Sequence, residues 1–399
     1  MLPRKRTRSA KEEPAMKKNS IVAVELKKPR HRKRAKGRAS QRSRSTPAPQ
    51  QTIGVDLGDK SSCYCVLDAA GEVQSERTVA TTKKGMTQTF GRIGPSRIAL
   101  EVGTHSPWVS RLLRDLGHEV IVANARRVRA ITASSRKDDR MDAQMLARLA
   151  RVDPGLLCPI RHRGEKAQQH LALIKARAAL VEGRTALVNT ARGLTKSSGE
   201  RLASCDTDRM GVHQLEGLPA EMQAVLRPVL EVVEAMTEQI QGYDSQLAEI
   251  ARSEYPETAL LEQISGVGPL IALTFVLTLE DPQRFQRSRE VGCYLGLRPT
   301  RRDSGESQPQ LRITKEGDVY LRMLLVQGAH CILGRRGPDT DLKRWGLKLA
   351  ERGGKNAKKR AIVAVARKLA VLLHCLWVSG EVYEPLRHSQ ARAAQKIAS

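Results

Sequence analysis

Aromatic residues are scarce in this chain: Phe, Trp and Tyr together make up 3% of its 399 residues. Proteins that hold single-stranded nucleic acid by stacking need exposed aromatic rings along a groove, so the scarcity argues against that mode of recognition. Acidic residues are also in deficit, because 42 Asp and Glu stand against 69 Lys and Arg, which gives a net charge of +27. A balance of this size favours a polyanionic partner such as nucleic acid. Contacts to its phosphates give affinity but carry no information on its sequence.

The chain also lacks the cysteine patterns of zinc sites and disulfide frameworks. Its seven cysteines are an odd number and include no Cys-x-x-Cys pair, which is typical of reduced, mostly buried thiols in a cytosolic protein. No apolar segment of the kind found in a signal peptide follows the charged N-terminus. Arg367 and Lys368 interrupt the apolar run nearest to a membrane span, residues 361–378. We therefore expect a cytoplasmic, nucleoid-associated protein with no membrane partner.

Changes in composition along the chain predict five segments. The first 44 residues hold 17 Lys or Arg against 3 Glu, so they carry +14, while the remaining residues carry the other +13. This tail is expected to be disordered, either as an arm that grips nucleic acid or as a solubilising tail. The predicted segments are a basic disordered tail (1–50), an α/β domain (51–155), long helices (156–255), a mostly helical C-terminal domain (256–380) and a basic tail (381–399).

Apolar periodicity predicts the elements of these segments. Strands are expected at 52–58, 62–67, 72–80, 97–101 and 119–123, with a helix over 106–116. Three strands in a meander followed by strand, helix and strand predict a mixed sheet with helices on its faces. A further helix is expected from Asp138 to Val152. In the C-terminal part, helices are expected at about 270–279, 319–333 and 357–378, with a basic linker between the last two. Long helical patterns over 164–194 and 219–251 predict an antiparallel hairpin or a coiled coil between subunits, with a plain helical bundle as the alternative; we favour the coiled coil.

Four carboxylates are the first candidate site. Asp56 and Glu101 each end a predicted strand, while Asp139 and Asp142 lie on one face of a predicted helix, three residues apart. Oxygen ligands suit Mg²⁺ or Mn²⁺, and two such ions about 4 Å apart can clamp the attacking and leaving oxygens of a phosphodiester. Alternatively, Asp139 and Asp142 are only acidic residues at the N-terminus of a helix, where the helix dipole favours them, and Glu101 pairs with a surface arginine. Asp138 could cap the helix or replace Asp139 as a ligand.

Two loops in the C-terminal half are further candidates. Ser265-Gly-Val-Gly-Pro269 is typical of a helix-hairpin-helix turn, in which the amides of Gly266 and Gly268 would bind a phosphate; a purely structural turn is the alternative. Ser304 lies near three guanidinium groups that could hold a DNA backbone while its hydroxyl attacks a phosphodiester. Asp-Ser-Gly is also an ordinary turn sequence. The three arginines are Arg298, Arg301 and Arg302.

Two sets of motifs in this order resemble the IS110 family of insertion-sequence transposases, including its IS1111-like members. The first set is Gly54-Val-Asp-Leu-Gly58, Leu100-Glu101 and Asp139-Arg-Met-Asp-Ala143. The second is Gly266-Val-Gly268, Arg284-Phe285, Tyr294-Leu-Gly-Leu-Arg-Pro299, Ser304-Gly305, Ile313-Thr-Lys-Glu-Gly317 and Leu321-Arg322. The resemblance spans about residues 51–380. It implies an RNase H-like domain, similar to a Holliday-junction resolvase, joined through a coiled coil to a C-terminal transposase domain.

The resemblance also implies roles for individual residues. Asp56, Glu101, Asp139 and Asp142 would bind divalent metal, and Ser304 would form a covalent phosphoserine link to DNA. A non-coding bridge RNA would pair with double-stranded DNA at the donor and target sites, and homodimers would assemble into a tetramer. Two residues beside the serine depart from the family pattern: Asp303 stands where Gln or Ser is more usual, and Glu306 where a small residue is frequent.

Three rival functions remain open. A hydrolytic resolvase or nuclease would use the four carboxylates and water without a covalent intermediate. A sugar-kinase or actin-like ATPase also opens with a strand ending in Asp-x-Gly, but the charge of +27 disfavours it. A DNA-binding protein that has lost catalysis would keep the carboxylates for structure alone.

Overall fold

A computed structural model describes residues 51–124, 138–309, 311–387 and 389–390. The predicted N-terminal tail and most of the predicted C-terminal tail lie outside the described residues. The same is true of the segment that joins the last strand to the helix carrying Asp139 and Asp142.

The N-terminal part of the chain forms a five-stranded mixed sheet, and all five expected strands are present. Their order across the sheet is β3-β2-β1-β4-β5. The first three strands pair antiparallel, whereas β1 pairs parallel with β4, and β4 parallel with β5. The strands are β1 (Thr52–Asp56), β2 (Ser61–Leu67), β3 (Val73–Ala80), β4 (Arg97–Glu101) and β5 (Glu119–Ala123). β1 ends at Asp56, two residues before the expected end, so the Gly58 turn lies outside it.

Helices cover both faces of this sheet, because successive strand residues point to opposite sides. On one face, large side chains such as Ile53, Ile98 and Leu100 pack against α1 (Lys83–Phe90) and α2 (Ser106–Asp115). The other face carries small residues, and α3 (Asp139–Val152) lies against it. The sequence pattern missed α1, because only Met86 and Phe90 on this short helix are buried.

Two long helices follow and pair with each other within the chain. They are α4 (Glu165–Ser197) and α5 (Ala220–Glu254). Arg177 donates to Asp244 at 2.6 Å, and Arg184 donates to Thr237 at 3.1 Å. Residue numbers increase along α4 while those of their partners on α5 decrease, so the two helices are antiparallel. This is the antiparallel hairpin that the sequence allowed. Pairing of the hairpin with a second chain stays a prediction.

The C-terminal part is helical and has its own apolar core. Its helices are α6 (Glu257–Leu261), α7 (Pro269–Leu279), α8 (Arg289–Tyr294), α9 (Val319–Leu333), α10 (Asp341–Ala350) and α11 (Ala357–Ser379). Phe275, Leu325 and Leu369 lie at the centre of this core, fully buried. The sequence pattern placed a basic linker where α10 lies. Thr340 caps this helix by accepting a hydrogen bond from the amide of Lys343, and Leu342 and Gly346 are buried. Lys348 is exposed, while the amine of Lys343 donates to the carbonyl oxygens of Gly334 and Gly337.

Among the described residues, α11 is long and apolar enough to cross a membrane by length and composition, with a mean hydropathy of 1.9. A buried core helix passes the same test. α11 packs against α8, α9 and α10, and its residues Val365, Leu369 and Leu373 are fully buried in the C-terminal core. Lys368 lies with its amine 4.3 Å from the ring centroid of Trp345. These contacts account for the apolar character of α11 as that of a core helix.

All seven cysteines are free thiols. Cys65 is fully buried on β2 and packs with Leu67, Ala143 and Ala147, and Cys63 lies beside this group. Both residues therefore take part in packing between β2 and α3.

Gly54 controls how closely α3 approaches the sheet. A Cβ at this position would lie 1.9 Å from the carbonyl oxygen of Ala143 and 2.5 Å from the amide nitrogen of Ala147, both backbone atoms of α3. We expect Gly54→Ala to lower the free energy of unfolding by about 3 kcal/mol, because α3 must move away from the sheet. Urea denaturation measures this. Gly94→Ala is the control, since nothing lies within 4 Å of its added Cβ, and equal losses in both variants would contradict the close approach.

Candidate active site

Two of the four predicted carboxylates lie side by side at one edge of the sheet. Asp56 is the last residue of β1 and Glu101 the last of β4, and these strands are parallel neighbours. Their register pairs Val55 with Leu100, so the residues that follow emerge together at the carboxyl edge. Both side chains are half-buried.

The other two carboxylates come from the first turn of α3. Asp139 and Asp142 lie there, and Ala143 of the same turn packs against Gly54, two residues before Asp56. The tight contact between α3 and β1 therefore brings the beginning of α3 to the edge where β1 ends.

The charges of neighbouring carboxylates act on the pKa values of Asp56 and Glu101. The pKa of Asp56 is raised from its ordinary value of 3.8 to about 6, first by burial and then by the charges of Asp139, Asp142 and Glu101, while the amide of Leu57 opposes the rise. Burial and the charge of Asp142 also raise the pKa of Glu101. The carboxylates that the sequence places far apart thus share one electrostatic neighbourhood.

The chemistry of this acidic group suits a hard divalent cation, since its donors are all oxygens. Within the described ranges, however, no three His, Cys, Asp or Glu side chains are gathered tightly enough to hold a metal ion. Carboxylates of like charge repel one another, so closing them to ligand distances of about 2.0–2.1 Å needs the cation itself. The residue types fit Mg²⁺ or Mn²⁺, and binding of a metal by these residues stays a prediction.

Asp138 serves as the N-cap of α3. Its carboxylate accepts the amide of Arg140 at 3.1 Å, and its backbone is extended, as an N-cap requires. Of its two possible roles, capping is the one seen.

The sequence pattern missed a polar contact at the same edge. The ring of His105 lies 3.5 Å from the carboxylate of Asp59 and accepts a hydrogen bond from the indole of Trp108 at 3.1 Å. Asp59 follows β1 and His105 follows β4, so the pair joins the two loops beyond Asp56 and Glu101. Isolated His and Asp residues in loops give no periodic or motif signal.

Ser304 lies near the tip of a projecting loop, here called the serine arm (residues 296–309 and 311–317). Backbone bonds pair the two sides of its base, from Thr300 to Arg312 and from Thr314 to Arg298. At the tip, Ser304 and Ser307 exchange backbone hydrogen bonds of 3.0 and 3.1 Å. Gly305 follows the serine with φ +54°, which favours glycine in a two-residue turn. The serine is thus exposed on a hydrogen-bonded turn.

Arg322 of α9 anchors the base of the serine arm. Its buried guanidinium donates to the carbonyl oxygens of Leu295 at 3.0 Å and Glu316 at 2.8 Å, one on each side of the arm. Gly296 and Gly317 permit the two sides to approach, because a Cβ at either would lie within 2.3 Å of backbone atoms across the base. These contacts explain why the Tyr294–Pro299 motif, the Ile313–Gly317 motif and Leu321-Arg322 occur together.

The three predicted DNA-contacting arginines lie on the serine arm. Arg298, Arg301 and Arg302 are exposed, and no ion pair ties them to a carboxylate among the residues that the structure describes. Asp303 and Glu306 are equally exposed on either side of Ser304-Gly305. In the described parts of the chain, no hydrogen bond or ion pair joins Ser304 to the acidic group. The structure gathers the carboxylates and, separately, the serine with its arginines.

The glycine turn before α7 has a structural role at one of its two positions. Gly266 has φ +91°, and a Cβ there would lie 2.9 Å from the carbonyl oxygen of Gly328 on α9. Gly268 is the exposed N-cap residue of α7, with nothing within 4 Å of an added Cβ. Close packing thus accounts for Gly266, and phosphate binding at Gly268 stays a prediction.

Comparison with known families defines the class of protein. The family model of the IS110-type DEDD transposase, described simply as a transposase, matches residues 53–198, which hold all four carboxylates. The model described as the transposase IS116/IS110/IS902 family matches residues 258–343, which hold the serine arm. The two halves of the candidate site thus fall in two transposase domains.

Similar proteins extend over most of the chain. The transposase for insertion sequence element IS1111A of Coxiella burnetii is 30% identical over 83% of this chain and 90% of its own length. A probable family 20 transposase of Pseudomonas aeruginosa is 27% identical over 84% of this chain and 98% of its own length. The insertion element IS116 uncharacterized 44.8 kDa protein of Streptomyces clavuligerus is 22% identical over 84% and 96%. This chain belongs to the IS116/IS110/IS902 family of transposases, which confirms the resemblance seen in the sequence.

Removing the charge of Asp56 is expected to stabilise the fold. A carboxylate whose pKa is higher in the folded than in the unfolded chain costs stability above pH 6, and the cost disappears as pH falls toward 3.8. For a half-buried group, we expect Asp56→Asn to raise the free energy of unfolding by about 1–2 kcal/mol at pH 7.5 without divalent cations, and by less at pH 5.

Urea denaturation at the two pH values measures this gain. Asp59→Asn, which neutralises a carboxylate with 92% of its side chain exposed, is the matched control. An Asp56→Asn variant no more stable than the control would show that the carboxylates do not share one neighbourhood.

The anchor of the serine arm can be tested at Arg322. Arg322→Met leaves the carbonyl groups of Leu295 and Glu316 without their charged donor, at a cost of about 1–3 kcal/mol. We expect amide hydrogen exchange across the serine arm to rise at least several-fold, with partial restoration in Arg322→Lys. Arg344→Met, which removes a surface arginine paired with Asp339, is the control. Unchanged exchange in the arm of Arg322→Met would exclude the anchoring role.

Proposed function

We propose that this transposase cuts and rejoins DNA strands through two groups of residues, a metal-binding acidic group and a serine nucleophile. The observation that carries the proposal is the convergence of Asp56, Glu101, Asp139 and Asp142 at one edge of the sheet, with the pKa of Asp56 raised to about 6. An uncompensated acidic group in a chain of charge +27 is costly unless a cation balances it.

The four carboxylates would hold Mg²⁺ or Mn²⁺ in an RNase H-like site. When bound, such ions neutralise charge on a phosphodiester and on the oxygen that leaves it. The carboxylates themselves fix the place where this happens, because Asp56 and Glu101 stand on neighbouring strands and Asp139 and Asp142 on a helix held against them. Rigid elements position a site more accurately than loops do.

Ser304 would supply the nucleophile. Its hydroxyl oxygen attacks the phosphorus and gives its proton to a base, for which the neighbouring Asp303 is the candidate. The bond from phosphorus to the leaving deoxyribose oxygen breaks, so the bond energy is kept in a phosphoserine, and a hydroxyl from another strand can reverse the step. Arg298, Arg301 and Arg302 would hold the backbone and stabilise the developing charge.

A hydrolytic resolvase is the alternative, and one observation favours it. Ser304 is joined to the acidic group by no bond among the described residues, so the carboxylates could act with water alone. The absence of a covalent protein–DNA intermediate would mark this route.

Guidance by a bridge RNA and assembly into dimers and a tetramer complete the proposal. The charge of +27 gives the chain capacity for RNA as well as for donor and target DNA. The α4–α5 hairpin is the proposed dimerisation element, and Val225 and Val232 on α5 are 58% and 46% exposed. Such apolar residues are available to a second chain.

The serine mechanism is tested by trapping covalent adducts on labelled DNA. We expect Ser304→Ala to abolish adducts while leaving DNA affinity unchanged, because the residue is exposed and its turn is held by backbone bonds. Asp56→Ala should abolish strand cleavage altogether. Denaturing gels of protein–DNA mixtures, followed by identification of the phosphorylated peptide, measure both effects.

Ser307→Ala is the matched control, since Ser307 occupies the other side of the same turn and keeps the same backbone bonds. Adducts that persist in Ser304→Ala would remove the serine mechanism. Cleavage without adducts in the unaltered protein would establish the hydrolytic route.

A further inference from the structure

Four arginines and one histidine lie between the sheet and the C-terminal helices. Arg111 and Arg114 lie on α2, and Arg161, His162 and Arg163 lie just before α4. The charges of Arg114, Arg111 and Arg163 all act on His162, after burial, to lower its pKa. Burial and the charges of Arg161 and Arg111 likewise lower the pKa of Arg114. We call these five residues the arginine cluster.

The cluster carries more positive charge than its surroundings balance. Arg163 lies 3.7 Å from Asp318, and Arg111 donates to the neutral side chain of Gln168 at 2.8 Å. No ion pair joins Arg111, Arg114 or Arg161 to a carboxylate in the parts of the chain that the structure describes. Like charges held this close repel, and an external anion would relieve that repulsion.

A hydrogen bond joins one member of the cluster to the beginning of α2, which follows the acidic edge of the sheet. His162 is bonded to the hydroxyl of Ser106 at 2.9 Å, and Ser106 comes five residues after Glu101. From Ser106, α2 runs away from that edge at about 1.5 Å per residue, so Arg114 lies about 12 Å further along the helix.

The same short segment also reaches the serine arm. Asp318, the partner of Arg163, directly follows Gly317 at the base of the arm, and Arg163 donates to the carbonyl oxygen of Thr278 on α7 at 3.2 Å. Residues 161–163 therefore connect the acidic edge to the base of the arm that carries Ser304.

We propose that the arginine cluster binds the phosphodiester backbone of the DNA strand on which the acidic group and Ser304 act. The proposal deepens the proposed function and rests on it. Arginines suit this task because the guanidinium group matches phosphate geometry and stays charged. Contacts of this kind fix the position of the strand without reading its sequence.

The test is the salt dependence of DNA affinity without divalent cations. Arg114 and Arg161 are exposed, so Arg114→Gln with Arg161→Gln spares the core. Log affinity falls linearly with log salt concentration, and each lost phosphate contact reduces the magnitude of this slope by about 1. We therefore expect the magnitude to decrease by about 2, and by the same amount for duplexes of unrelated sequence. Fluorescence anisotropy of a labelled DNA duplex measures it. Arg201→Gln with Arg227→Gln, exposed residues elsewhere, removes the same charge as a control.

Two outcomes would overturn the proposal. One is a slope equal to that of the control variant. The other is a decrease seen only with an RNA of equal phosphate number and not with the DNA duplex, which would assign the cluster to RNA. The proposed function is tested by a separate experiment. Covalent adducts and strand cleavage are measured with divalent cations, whereas DNA binding by the cluster is measured without them, so the two failures can be told apart.

Discussion

The contact between β1 and the beginning of α3 is the constraint on which the acidic site depends. Gly54 lets the backbone of α3 lie directly on the strand, and no other residue fits the space. Because this contact is two residues from Asp56 and one from Asp142, it fixes where the carboxylates meet. The parallel pairing of β1 with β4 adds Glu101 at the same edge. The raised pKa of Asp56 is the electrostatic cost of this arrangement.

A second constraint holds the serine. Arg322 binds carbonyl groups on both sides of the serine arm, and two glycines let the sides approach. The arginine cluster is linked to the base of this arm by Arg163 and to α2 by His162. One basic segment thus contacts both the base of the arm and the helix that follows the acidic edge.

The sequence predicted much of the fold, and its errors have physical causes. The five strands and the long helices have strong periodicity and were found in place. α1 was missed because only two of its residues are buried, which gives too weak an apolar periodicity. α10 was missed because basic residues interrupt its short apolar face. For the site, the sequence named Asp56, Glu101, Asp139 and Asp142; the charges of the other three raise the pKa of Asp56, and their role as metal ligands stays a prediction. The arginine cluster and the pair of Asp59 with His105 gave no signal, because their members come from separate loops and helices.

The sequence by itself determined the chemical character of this protein: its positive charge, its mixed order of strands and helices, and the family motifs that carry the acids and the serine. These properties depend on residue type and spacing along the chain, which are local. Only the tertiary structure decided which charges act on one another. It paired α4 with α5 in one chain and placed Asp138 as a cap. It also gathered three arginines, Arg111, Arg114 and Arg163, around His162. Such groupings depend on distances across the fold, and no spacing in the sequence encodes them.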